Sequence, residues 1–160
     1  MRGNIDTRIK KLRNKEYDAI VLSLAGMKML NLINEVKEIF TIEQMLPAIG
    51  QGAIALQCRK DDQRTLNFLK KINDIETYHC IQAERALLEA IGGDCDTAIG
   101  GLAKLSNDKI FLKSELFSDD GKKKFEFQSS GHFSEAKEIG YKVGRELLKK
   151  AGSDFTSQES

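Results

Sequence analysis

The sequence predicts an α/β and α+β chain: an incomplete doubly wound α/β segment, then a small α+β domain with a three-stranded antiparallel sheet packed against helices. Two observations carry this. Residues 1–70 hold only two continuous apolar runs of strand length, at 18–23 and 53–58, whereas a doubly wound sheet takes about five or six strands. Residues 73–152 are more self-contained, with a long helical stripe, three strand-like runs joined by short polar turns, and a closing amphipathic helix.

The first helix should start between Asn4 and Thr7, with Ile9 and Leu12 as its apolar face and Arg8, Lys10, Lys11, Arg13 and Lys15 around it. Those charges suit a solvated face. They also suit anion binding, because Arg2 and Arg8 bracket a helix N-terminus, where free N–H groups favour anions and guanidinium forks grip carboxylates. The run at 18–23 reads as a strand buried on both faces of a parallel sheet. A helix is expected over 24–32. Residues 35–45 are ambiguous, with Val36, Ile39 and Phe40 suggesting a short amphipathic helix.

The sole proline opens Pro47-Ala48-Ile49-Gly50-Gln51-Gly52, whose glycines suit a hinge, a close approach to a ligand, or a plain crossover turn. A second buried strand is expected at 53–58, and Asp61 or Asp62 should cap a helix running to residue 72. Ile75, His79, Ala83, Ala86, Leu87, Ala90 and Ile91 share one helical stripe, with Glu84, Arg85 and Glu89 turned away. This predicts a helix of about 17 residues. Strands follow at 98–105, 109–117 and 124–129, joined by Ser106-Asn107-Asp108 and Asp119-Asp120-Gly121. A last helix runs from Ser134 as N-cap to Ala151, carries Ala136, Ile139, Val143 and Leu147 inward, and stops at Gly152. Residues 153–160 are polar and expected to be disordered.

The chain has 41% hydrophobic and 31% charged residues, ordinary for a globular protein. It shows no long apolar run and no basic-then-apolar leader, so neither a membrane helix nor a signal peptide is expected, and the expected compartment is the cytoplasm. A net charge of +1 argues against a nucleic-acid partner. Cys58, Cys80 and Cys95 lack CxxC or His-rich spacing, which argues against zinc or a redox pair. Cys58 and Cys80 sit in apolar patterns and read as structural, as do His79 and His132.

Cys95 differs. It lies in Ile91-Gly92-Gly93-Asp94-Cys95-Asp96-Thr97-Ala98-Ile99-Gly100-Gly101, bracketed by glycines that permit a tight, projecting turn. The bland alternative is a glycine C-cap followed by a small buried thiol. Asp94, Asp96 and the upstream helix C-terminus should all raise the thiol pKa. That suits a one-time anchor for an electrophile better than a turnover nucleophile.

Arg2-Gly3-Asn4, Tyr17-Asp18-Ala19-Ile20-Val21-Leu22 with Ala25-Gly26-Met27-Lys28, Leu46-Pro47-Ala48-Ile49-Gly50-Gln51-Gly52-Ala53, Ala83-Glu84-Arg85-Ala86 and the Cys95 loop follow one another in a recognisable order. In that order and spacing, over residues 2–150, the chain resembles the C-terminal part of the porphobilinogen deaminase (hydroxymethylbilane synthase) family. The resemblance implies condensation of porphobilinogen units into hydroxymethylbilane, with release of ammonia, on a dipyrromethane cofactor attached through a thioether to Cys95. It implies that Arg2, Gly3, Arg8 and Lys28 bind the cofactor and the acetate and propionate groups of the growing chain. Gln51 and Gly52 would lie near substrate at the mouth of the cleft.

It further implies that residues 1–46 end a second α/β domain, 47–72 form a hinge and a segment returning to a first domain, and 73–152 form the C-terminal domain carrying the cysteine. The acid–base aspartate would then lie in a missing N-terminal part, so the chain is expected to be a shortened piece, inactive or incomplete alone, of a monomeric enzyme. Alternatively it is a non-catalytic, cofactor-carrying piece that needs a separate N-terminal chain. A free-standing thiol enzyme is the weakest alternative, since no basic residue stands beside Cys95 in sequence to activate it. The sequence departs from the family at Met29, where an arginine is usual, at Asp94, where a small residue is usual, and at Ala98, where proline is usual.

Overall fold

A computed structural model describes residues 3–93, 97–118 and 120–152. The expectations for Arg2, Asp94, Cys95 and Asp96, and for residues 153–160, lie outside the described residues. The chain forms two compact units, one through Thr41 and one from Ile42 onward.

In the first unit, α1 (Ile5–Arg13) buries Ile9 and α2 (Leu24–Met29) buries Met27. Both helices end in the same way. Lys15 and Asn31 take positive φ, and the next residue's N–H reaches back five positions, Glu16 to the Lys11 carbonyl and Leu32 to that of Met27. This satisfies carbonyls that a helix end leaves open. It also stops α2 three residues short of the expected 32. Gly26 lies against the Ile5 side chain, where a Cβ would collide with it. The ambiguous 35–45 segment forms no α-helix; a 3₁₀ turn occupies Ile33–Glu35, and Glu35 pairs with Arg13.

The expected buried strands at 18–23 and 53–58 do not form. Both segments are irregular, and Val21, Ile54 and Leu56 are exposed. A strand satisfies its backbone only against a neighbour, and neither segment has a strand partner among the described residues.

The second unit contains α3 (Gln63–Ile72), capped by Asp62, whose side chain accepts the Thr65 N–H. Next comes α4 (Ile75–Ile91), 17 residues long and capped by Asp74 through the Thr77 N–H. Gly92, at φ +68°, ends it, with the Gly93 N–H bonded to the Leu88 carbonyl. Strands β1 (Ile99–Ser106), β2 (Lys109–Phe117) and β3 (Lys124–His132) form an antiparallel meander in the order β1-β2-β3. Asn107 and Asp108 both take positive φ between β1 and β2, the two-residue hairpin turn whose twist matches the strands. The β2–β3 turn closes with the Ser118 N–H on the Lys123 carbonyl and Gly121 at positive φ.

β3 outlasts its expected end by three residues because Ser130, Gly131 and His132 continue the pairing with β2. The last helix, α5 (Ala136–Ala151), starts later than expected. Ser134 lies in a 3₁₀ turn over Phe133–Glu135, and its N–H is accepted by the His132 ring.

The core sits between the sheet and the α4–α5 pair. Leu87 and Ile91 of α4, Ile110, Leu112 and Leu116 of β2, and Val143 and Leu147 of α5 are fully buried there. Gly140 and Gly144 let α5 press directly on the α4 backbone near Ala83 and Leu87. Cys80 packs against this core, and the His79 ring lies tilted against Phe133 with ring centroids 4.9 Å apart.

Candidate functional site

At the start of the first unit, Gly3 takes φ +120°, a conformation that residues with a Cβ rarely adopt, and packs on Thr7. This turns its carbonyl to accept a 2.8 Å hydrogen bond from Arg8 Nε. The guanidinium is thereby held beside the first turn of α1, oriented by its own backbone. Lys28 lies exposed in the last turn of α2, the helix whose Gly26 adjoins Ile5. Arg8 and Lys28 thus stand on two adjoining helices, with Gly3 in the turn before the first, and a forked and a point cation are side chains that suit carboxylate groups. Met29 beside Lys28 is exposed and supplies no charge.

In the second unit, residues 46–53 fold as a tight loop against β1. The Gln51 N–H bonds to the Ala48 carbonyl, and the Gly101 N–H bonds to the Pro47 carbonyl at 2.9 Å. Gly100 and Gly101 are needed here, because a Cβ on either would run into Leu46 or Ile49. Gly50 takes φ +72°, leaving Gln51 and Gly52 exposed at the tip.

Behind the loop lies Glu84, only 3% exposed. One carboxylate oxygen accepts the Gly50 N–H and the other the Ala103 N–H, each at 2.8 Å. Burial pushes its carboxyl pKa up, and the two N–H groups oppose that shift. Burial, with the Glu84 charge behind it, likewise raises the Cys80 thiol. Glu84 was expected to face solvent, and the structure overturns that. The missed signal is spacing: Glu84 stands four residues after Cys80 and three and seven before Leu87 and Ile91, all on the packed face. Its partners are backbone groups, which a sequence does not display.

The loop carrying Cys95 is described only at its base. Gly93 packs against Leu88 and Thr97, and the Phe117 N–H bonds to the Ala98 carbonyl as the chain enters β1.

These features define a class: an α+β module with a cysteine in the sequence between α4 and β1, a glycine loop packed on β1, and a preceding cation-bearing helical unit. Comparison with known proteins makes the assignment specific. Residues 1–67 match the family model described as porphobilinogen deaminase, dipyrromethane cofactor binding domain, and residues 78–149 match that of the porphobilinogen deaminase C-terminal domain. The chain is 43% identical over 155 residues to a porphobilinogen deaminase of Coxiella burnetii, covering 97% of this chain and 50% of the relative. It is 39% identical over 155 residues to that of Nitrobacter hamburgensis, covering 97% of this chain and 49% of the relative. The chain belongs to the porphobilinogen deaminase family. It spans about half the length of these curated relatives. No described helix is long and apolar enough to cross a membrane.

Proposed function

We propose that this chain acts in a cytoplasmic porphobilinogen deaminase (hydroxymethylbilane synthase), carrying a dipyrromethane cofactor on Cys95. The observation that carries this reading is the ordered match to both family models along the one chain. When bound, the cofactor supplies the primer on which porphobilinogen units join head to tail, with loss of ammonia, before hydroxymethylbilane is hydrolysed off. Arg8, oriented by the Gly3 carbonyl, together with Arg2 and Lys28, neutralises acetate and propionate groups as they accumulate. Gln51 and Gly52, exposed on the glycine loop, meet substrate. No residue of this chain is assigned the acid–base step, which falls to a carboxylate in the N-terminal half that the relatives possess.

The chain then divides as the end of one α/β domain over residues 1–46, a hinge and returning segment over 47–72, and a cysteine-bearing domain over 73–152. A second reading is a non-catalytic carrier that needs a separate N-terminal chain, since no residue here is assigned the acid–base step; on either reading these residues alone are inactive or incomplete.

The test is intact mass and Ehrlich's reagent on the chain produced together with the N-terminal half of the Coxiella burnetii relative. A dipyrromethane-sized increment that vanishes in Cys95→Ala is expected. A bare mass, or an increment that survives the substitution, overturns the assignment. Ammonia release from porphobilinogen, with and without that half, separates an enzyme from a carrier.

A further inference from the structure

Glu84 occupies a position that its charge does not favour. It is buried on α4, where Leu87 and Ile91 continue the same face into the core. Unlike Glu115, which lies between the Lys113 and Lys124 ammonium groups, it meets backbone N–H groups instead. A buried carboxylate is retained only where its oxygens are satisfied. The two donors come from segments far apart in sequence. The Gly50 N–H belongs to the loop bearing Gln51 and Gly52, and the Ala103 N–H to β1, which leads directly out of the Cys95 loop. The helix beneath is rigidly seated, since Gly140 of α5 abuts the Ala83 carbonyl one residue before Glu84.

We infer that Glu84 is a positioning residue that clamps the Gly50-Gln51-Gly52 loop to β1 and so fixes the loop relative to the strand leaving the Cys95 loop. The Gly101 N–H to Pro47 carbonyl bond secures the near end of the same loop, and Glu84 secures the tip. The catalytic weight of the clamp rests on the proposed reading of Gln51 and Gly52 as substrate-facing; the clamp itself does not.

The experiment is residue-resolved amide hydrogen exchange on the chain and on Glu84→Gln. The amide side chain keeps one acceptor and loses the other. Protection at Gly50 or at Ala103, whichever N–H then faces the amide nitrogen, is expected to fall about 10- to 100-fold, the range for losing a hydrogen bond to a charged acceptor. Amides of β2 and β3 should keep their protection. Unchanged protection at both Gly50 and Ala103 overturns the proposal. So does a uniform loss across the unit, which would make Glu84 merely a support of the fold. Should the variant not fold, the through-hydrogen-bond coupling between the Gly50 amide nitrogen and the Glu84 carboxyl carbon reads the same contact in the unaltered chain, and its absence is equally decisive. If Gly50 loosens while Gln51→Ala leaves porphobilinogen consumption by the paired halves unchanged, the clamp stands and the substrate-facing reading fails.

Discussion

Glu84 also sets a pH dependence. Its carboxyl pKa is raised above the ordinary 4.5, chiefly by burial. The folded protein therefore holds this proton more tightly than the unfolded chain. Its contribution to stability is fully present below the ordinary value and is lost as pH rises through the raised folded value. In urea unfolding across a pH series, the stability of the unaltered chain minus that of Glu84→Gln is expected to shrink as pH climbs from below 4.5. A difference that grows with pH contradicts the burial argument. The helix caps carry the opposite sign. Hydrogen bonds from Thr65 and Thr77 hold the Asp62 and Asp74 carboxyls low, so their contributions are present above the ordinary value and are lost as pH falls through the lowered one.

The packing of α5 on α4 leaves no room for a side chain at Gly140. Glycine in a helix interior is normally a weakness of about 1 kcal/mol relative to alanine. At Gly140 the tertiary contact outweighs that term, because a Cβ there would collide with the Ala83 carbonyl and lie 2.7 Å from Ala86 Cβ and 2.9 Å from Leu87 N. These are mostly backbone atoms of a rigid helix, so the helices must separate. Gly140→Ala is expected to destabilise the chain by about 1–3 kcal/mol, as overpacked cores do, read as a lowered Tm. An unchanged or higher Tm would mean that the α4–α5 contact is looser than described. The same contact holds Glu84 in place, so the variant should also reduce protection at Gly50.

Taken whole, the chain leaves much apolar surface uncovered outside its C-terminal core. Ile54 is 91% exposed, and Val21, Met29, Phe68 and Ile72 are exposed as well. The helix α3 buries none of its side chains. Exposed apolar side chains favour association where they gather into a patch. Sedimentation velocity over a range of concentrations should show self-association, reduced in an Ile54→Asp, Phe68→Asp double variant. A monodisperse monomer at every concentration contradicts this.

Residues 73–152 were legible in the sequence because their elements are stabilised by neighbours within the same stretch. The Gly92 stop, the Asn107-Asp108 turn and the Val143–Leu147 face are local signals, and the folded unit keeps them all. The family order of motifs was equally legible, from Arg2-Gly3-Asn4 to the Cys95 loop. The fates of 18–23 and 53–58 were not, because an apolar run becomes a strand only when another strand satisfies its backbone. Nor was the role of Glu84. The sequence turned it away from the apolar stripe with Arg85 and Glu89, and its burial rests on two backbone N–H groups that only the folded chain brings within 2.8 Å of it.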